Sequence, residues 1–210
     1  MNHRAEDLAP LFPDQNPFST WAVRPGAIRF RFREGTSCES LLAELEKNQW
    51  WGEIVGPHGS GKSTLLRTLI EAFEERGRTV FRYTVRAGER QMPVATGDLQ
   101  DWNSNTQVVI EGFEQLGHRN RKMFETICRR RHVGLLVTCH EPAGLPTLYQ
   151  TEVSLELAQE LVKALLPEDC DFINGEDVQA GFRRHGENMR ELLFEMYDLY
   201  EKRRPRDGEI

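Results

Sequence analysis

At 210 residues, with 39% hydrophobic and 29% charged side chains and a formal net charge of −6, the chain has room for one sizeable core and carries no overall basic field for nucleic acid. No run approaches the roughly eighteen apolar residues that span a bilayer, and the opening Met1-Asn2-His3-Arg4 lacks the apolar stretch of a leader, so a cytoplasmic protein without a membrane partner is expected. Cys38, Cys128, Cys139 and Cys170 contain no C-x-x-C pair, which favours reduced thiols over a disulfide framework, and Cys128, His132, Cys139 and His140 show no recognised zinc-ligand spacing.

The first twenty residues gather Pro10, Pro13, Asp14, Asn16 and Pro17, the composition of irregular chain. Trp21-Ala22-Val23 and Ala27 to Phe32 flank Pro25-Gly26, and the second run alternates apolar and basic residues with period two, so a short hairpin is predicted. Leu41, Leu42, Leu45 and Trp50 recur at helical spacing after a Ser37 to Ser40 start. From Gly52 the pattern becomes strand Glu53 to Val55, helix Lys62 to Arg76, a Gly77 stop and strand Thr79 to Val85. A polar crossover from Arg86 to Asn105, with Pro93 and Gly97, has little helix of its own. Strand Gln107 to Ile110, a helix from about Arg119 to Arg131 and strand Val133 to Val137 follow. Strands separated by helical crossovers predict a parallel sheet covered on both faces. A last strand is expected near Tyr149 to Val153, then a helix from Leu155 to Leu166 ended by Pro167, then helix to about Arg203 with Phe182, Met189, Leu192, Leu193, Met196 and Leu199 as its buried stripe.

Gly56-Pro57-His58-Gly59-Ser60-Gly61-Lys62-Ser63 fits GxxxxGKS, and its flanks fit too: an apolar strand precedes it, and Thr64, Leu65, Leu66, Leu69 and Ile70 open a helix after it. Glycines let backbone N–H groups curl around a polyphosphate, and the following helix adds its positive end. Lys62 is expected to reach the β and γ phosphates, and Ser63 to offer its hydroxyl to Mg²⁺. Val108-Val109-Ile110-Glu111 supplies the acidic strand end that such a loop needs near the metal, with Glu111 where Asp is usual, its added methylene carrying the carboxylate further out. The expected ligand set is therefore a nucleoside triphosphate with Mg²⁺, and ATP is favoured over GTP because Asn-Lys-x-Asp is absent.

These features together resemble the additional-strand division of the P-loop ATPases, and within it AAA+ and NACHT-type signalling ATPases, from Gly52 to about Leu199. The resemblance implies an α/β fold of three layers with a mostly parallel sheet, a short N-terminal β-hairpin and a small C-terminal helical lid. The implied partition is an extension at 1–50 packing on the core, a nucleotide-binding core at 51–154, a lid at 155–203 and a tail at 204–210. Val108 to Gln115 is similar to the NACHT acidic strand, with Glu111, Glu114 and Gln115 at its three acidic positions and Gly112 where many ATPases keep a general base. Glu114 is then either the residue that polarises water or a helix-start carboxylate. Leu135 to His140 resembles a sensor-1 strand, which in such folds lies between the P-loop strand and the acidic strand; Thr138 is its γ-phosphate candidate, or the end of an ordinary strand, and His140 stands where related families often carry Arg. Gly186-Glu187-Asn188-Met189-Arg190 resembles a sensor-2 helix start, which implies that Arg190 faces the nucleotide; by composition it is an exposed helix arginine.

No arginine occurs between Val133 and Gly181, where AAA+ proteins carry a finger for a neighbouring subunit, so a ring is not implied and the oligomeric state is open. Arg129, Arg130 and Arg131 either act in trans or form a solvated helix end. Three functions remain in order: a slow Mg²⁺-dependent ATPase, a nucleotide-dependent switch or docking module with a protein partner, and a small-molecule kinase. No LSGGQ-like signature supports an ABC transporter ATPase.

Overall fold

The computed structural model describes residues 16–89, 94 and 97–205. Most of the Pro-rich lead-in, Pro93 and the tail beyond Pro205 lie outside the described residues. By internal contacts the chain forms two compact units, one of Phe30–Gly56 with Lys62–Thr151, the other of Met1–Arg29 with Pro57–Gly61 and Glu152–Ile210.

The first unit is built on a five-stranded, all-parallel sheet. Its strands are β1 (Trp51–Val55), β2 (Thr79–Thr84), β3 (Thr106–Glu111), β4 (Gly134–Cys139) and β5 (Thr147–Gln150), in the order β2-β3-β4-β1-β5. Each strand is separated from the next by a crossover, which parallel pairing requires. β3 and β4 are buried along nearly their whole length, and successive side chains serve opposite faces. Val108, Ile110, Leu135 and Val137 join a cluster with Phe124 and Cys128 of α4 (His118–Arg130), while Val109 and Leu136 join Leu41, Leu42 and Leu45 of α1 (Cys38–Lys47) and Leu65, Leu66, Leu69, Ile70 and Phe73 of α2 (Lys62–Glu75). Full burial of each such side chain stabilises by about 1.5–3 kcal/mol before entropy is counted. Three layers result, as the sequence predicts.

Local signals set the boundaries. Ser37 and Ser40 cap α1 reciprocally, side chain to backbone in both directions. α1 ends at Lys47, and Gln49 and Trp50 turn through positive φ, so Trp50 is not part of the helical stripe. Its ring instead takes the Arg78 guanidinium 4.1 Å above it, and next door Trp51 takes Arg129 at 4.2 Å. The expected hairpin does not form. Trp21–Val23 lies in turns, and Pro25 and Ile28 make one isolated bridge. The period-two alternation survives as burial alone: Phe30 and Phe32 are half-buried and Arg31 exposed, with the Phe30 ring edge-on to Phe32 and to Tyr149 in place of a strand partner. The last strand comes two residues earlier than its apolar run suggests, because its pairing with β1 starts at Glu53↔Thr147 and ends with β1 itself. The crossover after β2 contributes only α3 (Asp98–Asp101) among its described residues.

The second unit holds α5 (Leu155–Leu165), α6 (Gly175–His185) and α7 (Met189–Arg203). Val162, Val178, Met189, Leu192, Leu193 and Met196 form its core with Phe18 from the N-terminal segment, and Phe182 and Leu199 pack on it, which reproduces the predicted stripe. Ser154 caps α5 and Asn174 caps α6. Asn16 ties the N-terminal segment to α7 by donating to Tyr197 O (3.0 Å) and Glu201 Oε1 (2.9 Å).

Candidate functional site

The expected site residues converge first at the foot of the glycine-rich loop. Ser63, in the first turn of α2, donates to Glu111 Oε2 at 2.7 Å, so the longer acidic side chain at the end of β3 does reach the loop. Glu111 Oε1 accepts from Arg82 Nε at 3.0 Å, and the Glu111 side chain is only 14% exposed. Arg82 is a member of this group that sequence reading missed; its side chain belongs to β2, which carries no motif. Lys62 folds back so that its Nζ donates to Gly56 O at 2.7 Å. Burial away from water pulls the Lys62 pKa down, and the opposing charge of Glu114 pulls it back up. Gly56 N donates to Cys139 O at 3.2 Å, which fastens the start of the loop to β4.

β4 lies between β1 and β3, the position expected of the additional strand. Its end delivers Thr138, 4% exposed, whose Oγ1 accepts from Gly112 N at 3.3 Å. His140 follows, with Nδ1 2.8 Å from Glu114 Oε1. Glu114 sits in a 3₁₀ turn (Phe113–Gln115), and the turn is pinned from α4 by Arg121, which donates to Glu114 O at 2.5 Å and to Leu116 O at 2.8 Å. Glu114 is thus no free helix-start carboxylate. Its Oε2 is buried and has no hydrogen-bond partner among the described residues.

Gly112 adopts φ 75°, ψ 36°, and a Cβ there would lie 2.3 Å from Val85 O. That position is closed to any side chain, an acidic one included, which accounts physically for the missing base directly after Glu111.

Within the second unit, the loop apex Pro57–Gly61 meets the start of α7. Pro57 and His58 are exposed, Ser60 is buried and donates its hydroxyl to Pro57 O at 2.8 Å. Gly59 has φ 72°, and a Cβ on it would fall 1.9 Å from Asn188 Oδ1 and 3.2 Å from Arg190 N. Asn188 also caps α7, accepting from Glu191 N at 3.3 Å. The backbone of Arg190 therefore adjoins the loop apex, while its exposed guanidinium rests 5.5 Å from the Phe194 ring centroid. Gly61, Lys62, Ser63 and Thr64 are half-buried. Of the three arginines ending α4, Arg129 is stacked on Trp51 and Arg131 donates to Leu99 O, so two of them serve their own chain.

Glu53 is a second residue that sequence reading missed. In the middle of β1 and 1% exposed, its carboxylate accepts from Ala143 N (2.9 Å), Leu145 N (3.2 Å) and Thr147 Oγ1 (3.1 Å), fixing the loop between β4 and β5. Cys139 nearby is buried, and burial and then Glu53 push its thiol up to about 12. No group of three or more His, Cys, Asp or Glu arranged for a metal occurs among the described residues. No helix among them is long and apolar enough to cross a membrane.

No protein-family model and no curated protein matches the chain. Among solved structures, the Walker-type ATPase PABY2304 of Pyrococcus abyssi is similar with a TM-score of 0.53 at 9% identity, over 79% of this chain and 67% of that one. The fold is the three-layer α/β fold of the P-loop NTPases. More distant similarities are to PCH-2 of C. elegans (TM-score 0.40, 11% identity, 79% of this chain and 67% of that one) and to the E. coli MS115-1 HORMA:CdnC:Trip13 complex (0.35, 12%, 84% and 81%).

Proposed function

We propose that this chain binds ATP with Mg²⁺ and hydrolyses it slowly at the β–γ bond. The observation that carries the reading is the Ser63–Glu111 hydrogen bond of 2.7 Å at the end of a GxxxxGKS loop. A hydroxyl and a carboxylate at that separation form a hard-oxygen donor pair of the kind that suits Mg²⁺, a cation that takes few protein ligands and keeps several waters. Ser63 and Glu111 would hold the metal, which supplies charge neutralisation on the phosphates. The loop Gly56, Pro57, His58, Gly59, Ser60, Gly61, Lys62, Ser63 and Thr64 would hold the nucleotide.

The chain's own residues then divide the work. Lys62, half-buried, contributes a positive charge that counts for more than it would in water. Glu114 takes the part of proton acceptor, Thr138 contacts the γ-phosphate or the water, and Arg190 is the lid arginine. A switch that binds without turnover has one observation in its favour, the closure of position 112 by Val85 O. A protein partner suits either reading, and the resemblance leaves the number of copies open.

Mg²⁺-dependent binding of a fluorescent ATP analogue tests the site. Lys62→Ala should abolish it, with the circular dichroism spectrum unchanged; full retention of affinity refutes the proposal. Phosphate release by wild type and Glu114→Gln separates enzyme from switch.

A further inference from the structure

Glu114 and His140 lie 26 positions apart in the chain, yet both belong to the first unit and their side chains meet at 2.8 Å. Each is held from its own side. Phe113, fully buried, anchors the 3₁₀ turn in the core, and Arg121 grips the turn's carbonyls while its guanidinium lies 5.7 Å from the Phe113 ring. His140 follows directly on Cys139, whose carbonyl accepts from Gly56 N, so its backbone is joined to the start of the phosphate loop. The outcome for the carboxylate is asymmetric. Oε1 is engaged by His140 and, at 3.5 Å, by Gln115 Nε2, whereas Oε2 is buried without a hydrogen-bond partner among the described residues. Leaving a buried acceptor unsatisfied is costly, so the arrangement points to a proton donor other than the described residues. The negative charge of Glu114 is felt by Lys62, which places the carboxylate within electrostatic range of the loop lysine.

We infer that His140 is a positioning residue: by donating from Nδ1 to Glu114 Oε1 it fixes the rotamer that presents Oε2 as the acceptor for the proton of the attacking water. The inference rests on the ATPase reading above. In the step served, the water oxygen bonds to the γ-phosphorus while the bond from phosphorus to the bridging oxygen breaks. The electron pair leaves with that oxygen on the diphosphate, and the water proton passes to Glu114 Oε2 and thence to solvent. A histidine in this place offers one ring N–H to one carboxylate oxygen, which orients the carboxylate and leaves Oε2 turned away from it.

Three measurements on the full chain test this. Long-range ¹⁵N–¹H spectra of the nucleotide-free protein should show His140 protonated at Nδ1, with that preference lost in Glu114→Ala. His140→Ala should lower kcat about 10-fold or more, with affinity for the fluorescent ATP analogue unchanged, and His140→Asn, whose amide N–H can replace the Nδ1 donor, should recover most of the rate. Equal kcat in wild type and His140→Ala, a rise in kcat, or parallel losses of rate and affinity in both variants would overturn the inference while leaving the ATPase reading intact. Wild type that binds the analogue but releases no phosphate overturns the inference and favours the switch. Wild type that binds no analogue overturns the proposed function along with it, and the NMR result shows whether the side-chain contact itself exists.

Discussion

Replacing Gly112 with alanine should destabilise the sheet-bearing unit by an amount that can be worked from two separate terms. The left-handed conformation at φ 75° costs a residue with a Cβ roughly 1–2 kcal/mol. The Cβ also lands 2.3 Å from Val85 O, a backbone atom that cannot swing aside, because Val85 N donates to Glu111 O at 2.8 Å and holds that segment against β3. Overpacking of this sort costs about 1–3 kcal/mol, so the whole effect is about 2–5 kcal/mol. For a chain of this size that is a fall in Tm of roughly 5–15 °C. Thermal melting followed by circular dichroism measures it, with Gly112→Asn as the discriminating control. Asparagine tolerates the left-handed region but keeps the Cβ, so it should recover only the conformational part. A Tm for Gly112→Ala within about 1 °C of wild type would refute both the strain and the contact. The same reasoning says that Gly112→Glu does not install a faster base, since the fold fails before the chemistry improves.

Two further outcomes concern stability. Glu53→Ala leaves Ala143 N, Leu145 N and Thr147 Oγ1 without their acceptor and should cost at least about 3 kcal/mol in urea unfolding, with Glu53→Gln losing less because one oxygen remains; equal losses in the two variants would contradict this account. Asp177 is held below its ordinary pKa by hydrogen bonds from Arg203, and Glu195 below its own by Arg184 and then His185. Because both folded pKa values are depressed, their contribution is present above the ordinary carboxylate range and is lost as pH falls through the folded values. Acid titration of helicity should therefore show a loss below that range that is shallower in Asp177→Asn and Glu195→Gln, and an unchanged profile in both would count against these pairs.

The loop and the sheet were legible because each leaves a local imprint. GxxxxGKS fixes residue types at fixed spacing, and continuous apolar runs such as Val108 to Ile110 mark strands buried on both faces. The alternation from Arg29 to Phe32 was legible only in part: it reports which side chains are covered, not whether another strand supplies the cover, and here Tyr149 does so with its ring. Glu53 was not legible at all, since a carboxylate inside an apolar strand carries no sign that three donors will arrive roughly ninety residues later. Glu114 and His140 were each conspicuous alone, one as an acid after a vacant position and the other as a substitute for arginine. Their contact depends on how a 3₁₀ turn and a strand end are brought together, and that is a property of the packed sheet.

The strand order carries a consequence for how the molecule is made. β2 pairs with β3 across a short stretch of chain, but β1, which leads into the glycine-rich loop, pairs among the described residues with β4 and β5, roughly eighty to ninety-five residues downstream. During synthesis β1 must wait unpaired until those strands emerge, and the loss of chain freedom needed to bring them together falls on the last stage of assembly. The glycine-rich loop, first of the candidate-site segments to be translated, is therefore among the last to take shape, and a nucleotide that recognised the finished loop would bind only after the sheet has closed around β1.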